Sequence, residues 1–360
     1  MKIIKFVLLT IFISQSIFAQ TSKKFALAGL SHGHVDWFFN REAQDFELVG
    51  IYETNEDLVK KYMERYDLDQ GIFYDDLETM LNETKPDAVS AFGATSEHLS
   101  IVKACAPKKI DVMVEKPLAT TYKDALEIQS LAEENHILVL TNFETSWYAS
   151  TKYIQEQVGE NRLGDLTKIL VNDGHEGPKE IGVSEEFLEI LVDPEKNGGG
   201  ALFDFGCYGA NLMTALMNGE KPLSVTAVTA QNKPEIYANV DDEATIILQY
   251  PKTQGIIQAS WNWPYSRKDM AVYGTHGYIV AKNSEEIQKK LKEDPEALEI
   301  QLSPREQKYR DPFSYFYGVM TGDIKYNEKS LYSLPINVTV VEILEAAKKS
   351  AEMNKSVFLK

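Results

Sequence analysis

The chain has 360 residues, 44% of them hydrophobic and 25% charged, enough to bury a sizeable core and long enough for two domains rather than one. Its 54 acidic residues outweigh 37 basic ones, and a formal charge of -17 repels phosphate backbones and anionic lipid, which argues against nucleic acid as a partner while leaving neutral small molecules unaffected. Two cysteines, Cys105 and Cys207, are too few for a disulfide-framed fold or a thiolate metal site and are expected as free thiols.

In chain order, Lys2 and Lys5 precede an apolar run from Phe6 to Ile13, then a polar patch and the small Ala19, which is the pattern of a secretory signal peptide over residues 1–19. The run falls well short of the roughly 18 residues a spanning helix needs. No Arg-Arg pair precedes it and no cysteine lies near the cleavage point. The expectation is a secreted or periplasmic chain with no stable membrane insertion. Loss of two lysines and no acids takes its charge from -17 to -19.

From residue 24 to 143, short apolar strands alternate with amphipathic helices. F-A-L-A-G-L, F-E-L-V-G-I-Y, Asp87 to Phe92, Ile110 to Val114 and Ile137 to Thr141 read as strands. Helices are expected through Phe38 and Phe39, over Asn55 to Tyr66, Glu97 to Ala106 and Thr121 to Glu134. Strict alternation implies an α/β domain with a doubly wound parallel sheet. Residues 144–360 change character. After a helix from Ser150 come β-rich segments at Leu223 to Ala230, Ala244 to Tyr250, Gly255 to Asn262 and Met270 to Val280, joined by turns such as T-H-G. They predict an α+β domain with a mainly antiparallel sheet, closed by a helix over Asn337 to Met353.

The first strand runs into Gly29-Leu30-Ser31-His32-Gly33-His34, where a dinucleotide fold places its glycine-rich turn. In G-x-G-x-x-G only Gly29 is kept, with Ser31 second and His34 third, although Gly33 still offers a tight bend. Glu53 ends the second strand about 20 residues on, placed to accept from an adenosine ribose and to oppose a 2′-phosphate, so NAD is favoured over NADP. Its alternative role is a first-turn acid of the next helix.

Two later motifs are more specific: Glu115-Lys116-Pro117-Leu118-Ala119 after a strand, and Gly199-Gly200-Ala201-Leu202-Phe203-Asp204-Phe205-Gly206-Cys207-Tyr208. E-K-P-L-A resembles the signature of the Gfo/Idh/MocA oxidoreductases, and the second segment resembles their G-G-x-L-x-D-x-G-x-H. The resemblance covers nearly all of the mature chain, with Gly93-Ala94 replacing the usual Thr-Pro. It implies a Rossmann domain, a C-terminal sheet open on one face, a homodimer or homotetramer, and a sugar or polyol substrate. It also implies that Gly93, His98, Glu115 and Lys116 join Gly29, Ser31, His32, Gly33, His34 and Glu53 around the cofactor, with an unusual peptide geometry at Lys116-Pro117.

By the same resemblance Lys116, Asp204 and Tyr208 carry catalysis, tyrosine standing where many relatives have histidine. If Leu202 onward is helical, Asp204 and Tyr208 lie one turn apart on one face. The Lys116 ammonium is then expected to lower the Tyr208 phenol from its ordinary pKa near 10, so that Tyr208 exchanges the hydroxyl proton. Asn142, Trp147, Tyr148, His175 and Trp263 are candidate substrate contacts; His175 reads equally as a buried structural residue, and Trp261, Trp263 and Tyr265 equally as interface aromatics. Six scattered histidines show no paired spacing, so no metal is expected. Export separates the chain from cytoplasmic NAD, which suits a tightly held cofactor restored within each cycle. That leaves a sugar dehydrogenase or donor–acceptor sugar oxidoreductase, a redox-neutral glycosidase, and a non-catalytic sugar-binding protein.

Overall fold

The computed structural model describes residues 22–359, so the expected signal peptide at 1–19 lies outside the described residues. The first domain comprises β1 (Lys23–Ala28), α1 (Val35–Phe39), β2 (Phe46–Tyr52), α2 (Glu56–Tyr66), β3 (Phe73–Tyr74), α3 (Leu77–Thr84), β4 (Ala88–Ala91), α4 (His98–Cys105), β5 (Asp111–Glu115), α5 (Tyr122–Asn135) and β6 (Val139–Asn142). The strands form one parallel sheet in the order β3-β2-β1-β4-β5-β6. Its chain order reverses between β1 and β4, and ligands of such sheets bind in the crevice that this reversal opens at the strands' carboxyl ends. Local sequence sets the helix starts: Asn55 accepts the Asp57 and Leu58 N–H groups at α2, and Thr121 accepts that of Asp124 at α5.

The second half begins with α6 (Ala149–Gly159), β7 (Leu166–Gly174), α7 (Glu185–Leu191), α8 (Pro194–Asn197), α9 (Ala201–Asp204) and α10 (Gly206–Leu216). Strands β8 (Ser224–Ala230), β9 (Glu243–Gln249), β10 (Gln254–Ser260), β11 (Arg267–Gly274), β12 (Gly277–Ala281), β13 (Glu286–Leu291) and β14 (Leu298–Gln301) follow, then α11 (Pro312–Thr321), α12 (Leu334–Met353) and β15 (Val357–Phe358). They build a nine-stranded sheet, β14-β13-β12-β11-β7-β10-β9-β8-β15, antiparallel at every pair except β7 with β10. The segment read as Met270 to Val280 is two strands, β11 and β12, turning at Thr275 and His276.

Helix α10 lies on the inner face of this sheet so closely that a Cβ on Gly209 would meet Ile257 at 2.6 Å. Helix α12 packs two ways. Leu334, Val338 and Val341 join the core beneath the parallel sheet with Ala125 and Ile128 of α5, while Ile336, Val340, Ile343 and Leu344 join the core of the second half. Each such fully buried side chain contributes about 1.5–3 kcal/mol. Among the described residues no element covers the outer face of the large sheet, whose side chains alternate with the buried inward set.

Candidate active site

The turn after β1 keeps its geometry despite its altered letters. Gly29 has φ +86°, and a Cβ there would stand 2.5 Å from the Gly93 backbone nitrogen, so Gly29 is needed for the two turns to touch, while a Cβ on Gly93 would instead meet the Glu97 carboxylate. Over Gly33 the space is open, with no atom within 4 Å of where a Cβ would lie. Glu53 accepts the Leu30 N–H at 2.8 Å and the Asn55 N–H at 2.8 Å, which fixes its carboxylate at the end of β2. Asn55, not Glu53, caps α2, so the first-turn reading of Glu53 does not hold. A tight bend, an open mouth and an anchored acid fit a dinucleotide, with Ser31 half-exposed beside them.

His32 and His34 turn toward Glu115 rather than into the open mouth. His34 stacks on Trp37 at 3.8 Å and its Nδ1 lies 3.1 Å from Glu115 Oε2, while His32 Nε2 lies 3.7 Å from the same oxygen. Asn142 donates to Glu115 Oε1 at 2.5 Å and accepts from the Trp147 indole at 2.9 Å. Burial opposes the Glu115 charge, but the two histidines and the Asn142 amide hold its carboxyl down at about 2. Burial also lowers His32 to about 3. Three potential ligand atoms thus lie within 4.8 Å of one another, which corrects the expectation that no histidines pair. The sequence hid this cluster because its carboxylate comes from β5. His98 is buried against the Glu115–Ala119 turn, its Nδ1 3.1 Å from the Leu118 carbonyl.

Lys116 follows β5, and its bond to Pro117 is cis. Its Nζ donates to Asp204 Oδ1 at 2.5 Å, both side chains being buried, and the other Asp204 oxygen accepts the Trp261 indole N–H at 3.1 Å. Burial works against both charges, yet the pairing keeps the ammonium above and the carboxyl below their ordinary values. Asp204 and Tyr208 do not share one continuous helix: α9 ends at Asp204, Phe205 breaks the run, and Tyr208 sits in the first turn of α10. The Tyr208 ring nonetheless stands 5.4 Å from Lys116 Nζ.

The second correction concerns that phenol. Burial raises Tyr208 well above 10, and the nearby acids Glu144, Asp173 and Asp204 add to it, so in the free protein Tyr208 is a neutral donor and not a phenolate. Four further groups surround it, of which Lys268, Glu144 and Asp173 are absent from the sequence reading. Lys268 Nζ lies 4.9 Å from its ring and pairs with Glu144, which also accepts from Tyr148 at 2.5 Å. Asp173, opposite Lys268 in the β7–β11 register, is buried with one oxygen unpartnered, and burial drives its carboxyl toward the neutral form. No motif marks these residues; only strand register brings Lys268 to Asp173.

His175 packs edge-on against Phe205 at 4.9 Å, with Nδ1 accepting the Gly177 N–H at 2.9 Å, so its Nε2 carries the proton of the neutral ring. Burial lowers its pKa. Trp263 lies over Gly174 beneath the Arg267 guanidinium, Trp261 is the Asp204 partner, and Tyr265 is exposed. Cys105 and Cys207 are free and buried.

Comparison with known proteins matches this arrangement in both halves. Residues 23–143 fit the description "Oxidoreductase family, NAD-binding Rossmann fold", and residues 151–280 fit the "GFO/IDH/MocA C-terminal domain". The chain belongs to the Gfo/Idh/MocA oxidoreductase family. A trans-1,2-dihydrobenzene-1,2-diol dehydrogenase from Xenopus tropicalis is 24% identical over 66% of this chain and 67% of its own. Among solved structures, an aldose-aldose oxidoreductase from Caulobacter crescentus, complexed with glycerol, superposes with a TM-score of 0.80 at 17% identity, covering 94% of this chain and 100% of that one. An inositol dehydrogenase homolog from Azotobacter vinelandii, complexed with NAD+, gives 0.79 at 16%, covering 94% and 97%. Both solved structures share the fold of this Gfo/Idh/MocA chain over nearly its full length.

Proposed function

We propose that this oxidoreductase transfers a hydride between NAD and a hydroxyl-bearing carbon of an uncharged sugar or polyol. The observation that carries the reading is the Lys116–Asp204 pair set against Tyr208 at the carboxyl end of β5. When bound, the nicotinamide takes up the hydride from the carbinol carbon and can return it. Lys116 donates to the reacting oxygen, Asp204 holds Lys116, and Trp261 holds Asp204. Tyr208, neutral at rest, gives its proton to the oxygen during carbonyl reduction; for oxidation it must first lose that proton to solvent, and the phenolate then takes the hydroxyl proton. Around the reacting point the ammonium groups of Lys116 and Lys268 are each matched by a carboxylate, Asp204 and Glu144, and this balance favours a neutral substrate over an acid or phosphate. A cavity of about 390 Å³ beside Glu144, walled by Trp37, Trp147 and Tyr148, has room for a sugar ring.

Glu53 at the ribose position supports NAD over NADP. Export is supported by the lysine-flanked apolar run at the N-terminus. A homodimer or homotetramer is supported by the outer face of the large sheet, where Ile247, Ile256, Leu170, Ala271 and Val280 stand side by side across five strands.

The test is to denature the purified protein and assay the supernatant for NAD and NADP, then to screen aldoses, cyclitols and aryl glycosides with Lys116→Ala and Tyr208→Phe as controls. Bound or readily taken up NAD with turnover lost in both variants is expected. Absence of any dinucleotide binding would sink the oxidoreductase reading in favour of a sugar-binding protein.

A further inference from the structure

We propose that His32, His34 and Glu115 form a binding site for one divalent first-row transition-metal ion at the crevice between the turns after β1 and β5. The inference goes beyond hydride transfer and does not depend on it. Its first support is distance. The Glu115 Oε2 separations are 3.1 Å to His34 Nδ1 and 3.7 Å to His32 Nε2, and all three atoms lie within 4.8 Å. Ligands about 2.0–2.1 Å from a tetrahedral ion stand roughly 3.3 Å apart, so the two separations from Glu115 already suit an ion and the two histidine nitrogens need to close by at most about 1.5 Å.

The second support is independent of spacing. His32 is 6% exposed and its Nε2, aimed at this cluster, has no hydrogen-bond partner. An unpartnered buried ring nitrogen is costly, and a ligand removes the cost. Two imidazoles and one carboxylate form a nitrogen-and-oxygen set suited to zinc, iron or cobalt rather than calcium or magnesium, whose ligands are oxygens. Asn142 supplies the outer support that ligating carboxylates need, donating to Glu115 Oε1 at 2.5 Å. One contact must change. His32 Nδ1 now accepts the His34 N–H at 3.2 Å, and ligation through Nε2 places the proton on Nδ1, so metal binding exchanges this weak hydrogen bond for a metal–nitrogen bond. The ion would tie more firmly two turns that now meet through the His34–Glu115 contact.

The experiment uses the mature chain, treated with chelator and freed of nucleotide, titrated with Zn²⁺ by calorimetry and with Co²⁺ by visible absorption. One ion per chain is expected, with a cobalt spectrum of a low-coordinate site and a Zn²⁺-dependent rise in melting temperature. His32→Ala and Glu115→Gln should each weaken binding by at least the about 10- to 100-fold typical of disturbing even a ligand's supporting partner. His276→Ala, at an exposed histidine, should leave it unchanged. No binding, a different stoichiometry, or undiminished affinity in both site variants with native melting would overturn the site. NAD binding is measured on the same samples without metal. Nucleotide binding without a metal site leaves the proposed function standing, and a metal site without nucleotide binding does the reverse.

Discussion

The two ends of the crevice are held by opposite means. At the turn after β1 the chain is shaped by missing side chains: Gly29 and Gly93 touch backbone to backbone, and Glu53 is fixed by main-chain N–H groups. Around Tyr208 the structure depends on side chains, with two buried or half-buried lysine–carboxylate pairs flanking one phenol. The first end is sensitive to volume and hardly to charge, whereas the second tolerates no unmatched charge, because removing one partner of a buried pair costs about 3–5 kcal/mol.

That contrast can be broken from the charged end first. Lys116→Met should lower kcat by about 10³ while leaving dinucleotide affinity nearly unchanged, measured by steady-state turnover and by nucleotide fluorescence titration. Tyr208→Phe should cost about 10² in kcat. It should also remove a pH dependence whose direction follows from the raised Tyr208 pKa. Oxidation, which needs the Tyr208 phenolate as proton acceptor, should quicken as pH rises into the alkaline range, and carbonyl reduction, which needs the neutral phenol as donor, should hold through neutrality and fall only there. A wild-type oxidation rate that peaks in mild acid would remove Tyr208 from the proton path. At the other end, Gly29→Ala meets a left-handed φ and the Gly93 backbone, a strain of about 1–3 kcal/mol. Dinucleotide affinity should fall about 10- to 100-fold with little change in turnover at saturation. Smallest is Trp261→Phe, which frees one Asp204 oxygen and should cost about 10-fold in kcat with KM steady.

Much of the fold could be read before any coordinates, because strict strand–helix alternation and the capping residues Asn55 and Thr121 are local signals. Strands β3 and β13 could not: β3 has two residues, and β13, E-I-Q-K-K-L, carries no clean apolar alternation. Lys116, Asp204 and Tyr208 came from motif resemblance and do meet in space. Their surroundings did not come with them, since Lys268, Asp173 and Glu144 are joined only by sheet register and by the course of the chain after β6. The Tyr208 pKa was misjudged for the same reason: one visible ammonium was weighed without burial or the three acids around it. His32 and His34 were visible as a pair of letters, but their carboxylate was not.

Helix α12 has a consequence for dissection of the molecule. Its alternate faces are shared between two cores, and Glu345 reaches back to accept the Tyr122 N–H at the start of α5. The Thr141 N–H of β6 is likewise answered by the Tyr332 carbonyl, far along the chain. A fragment ending at residue 143 would leave a greasy flank on α5 and an unanswered edge on β6. The nucleotide-binding half is therefore not a detachable cassette: its last supports come from Tyr332 and helix α12, far along the chain, and it folds soundly only once those residues have been made.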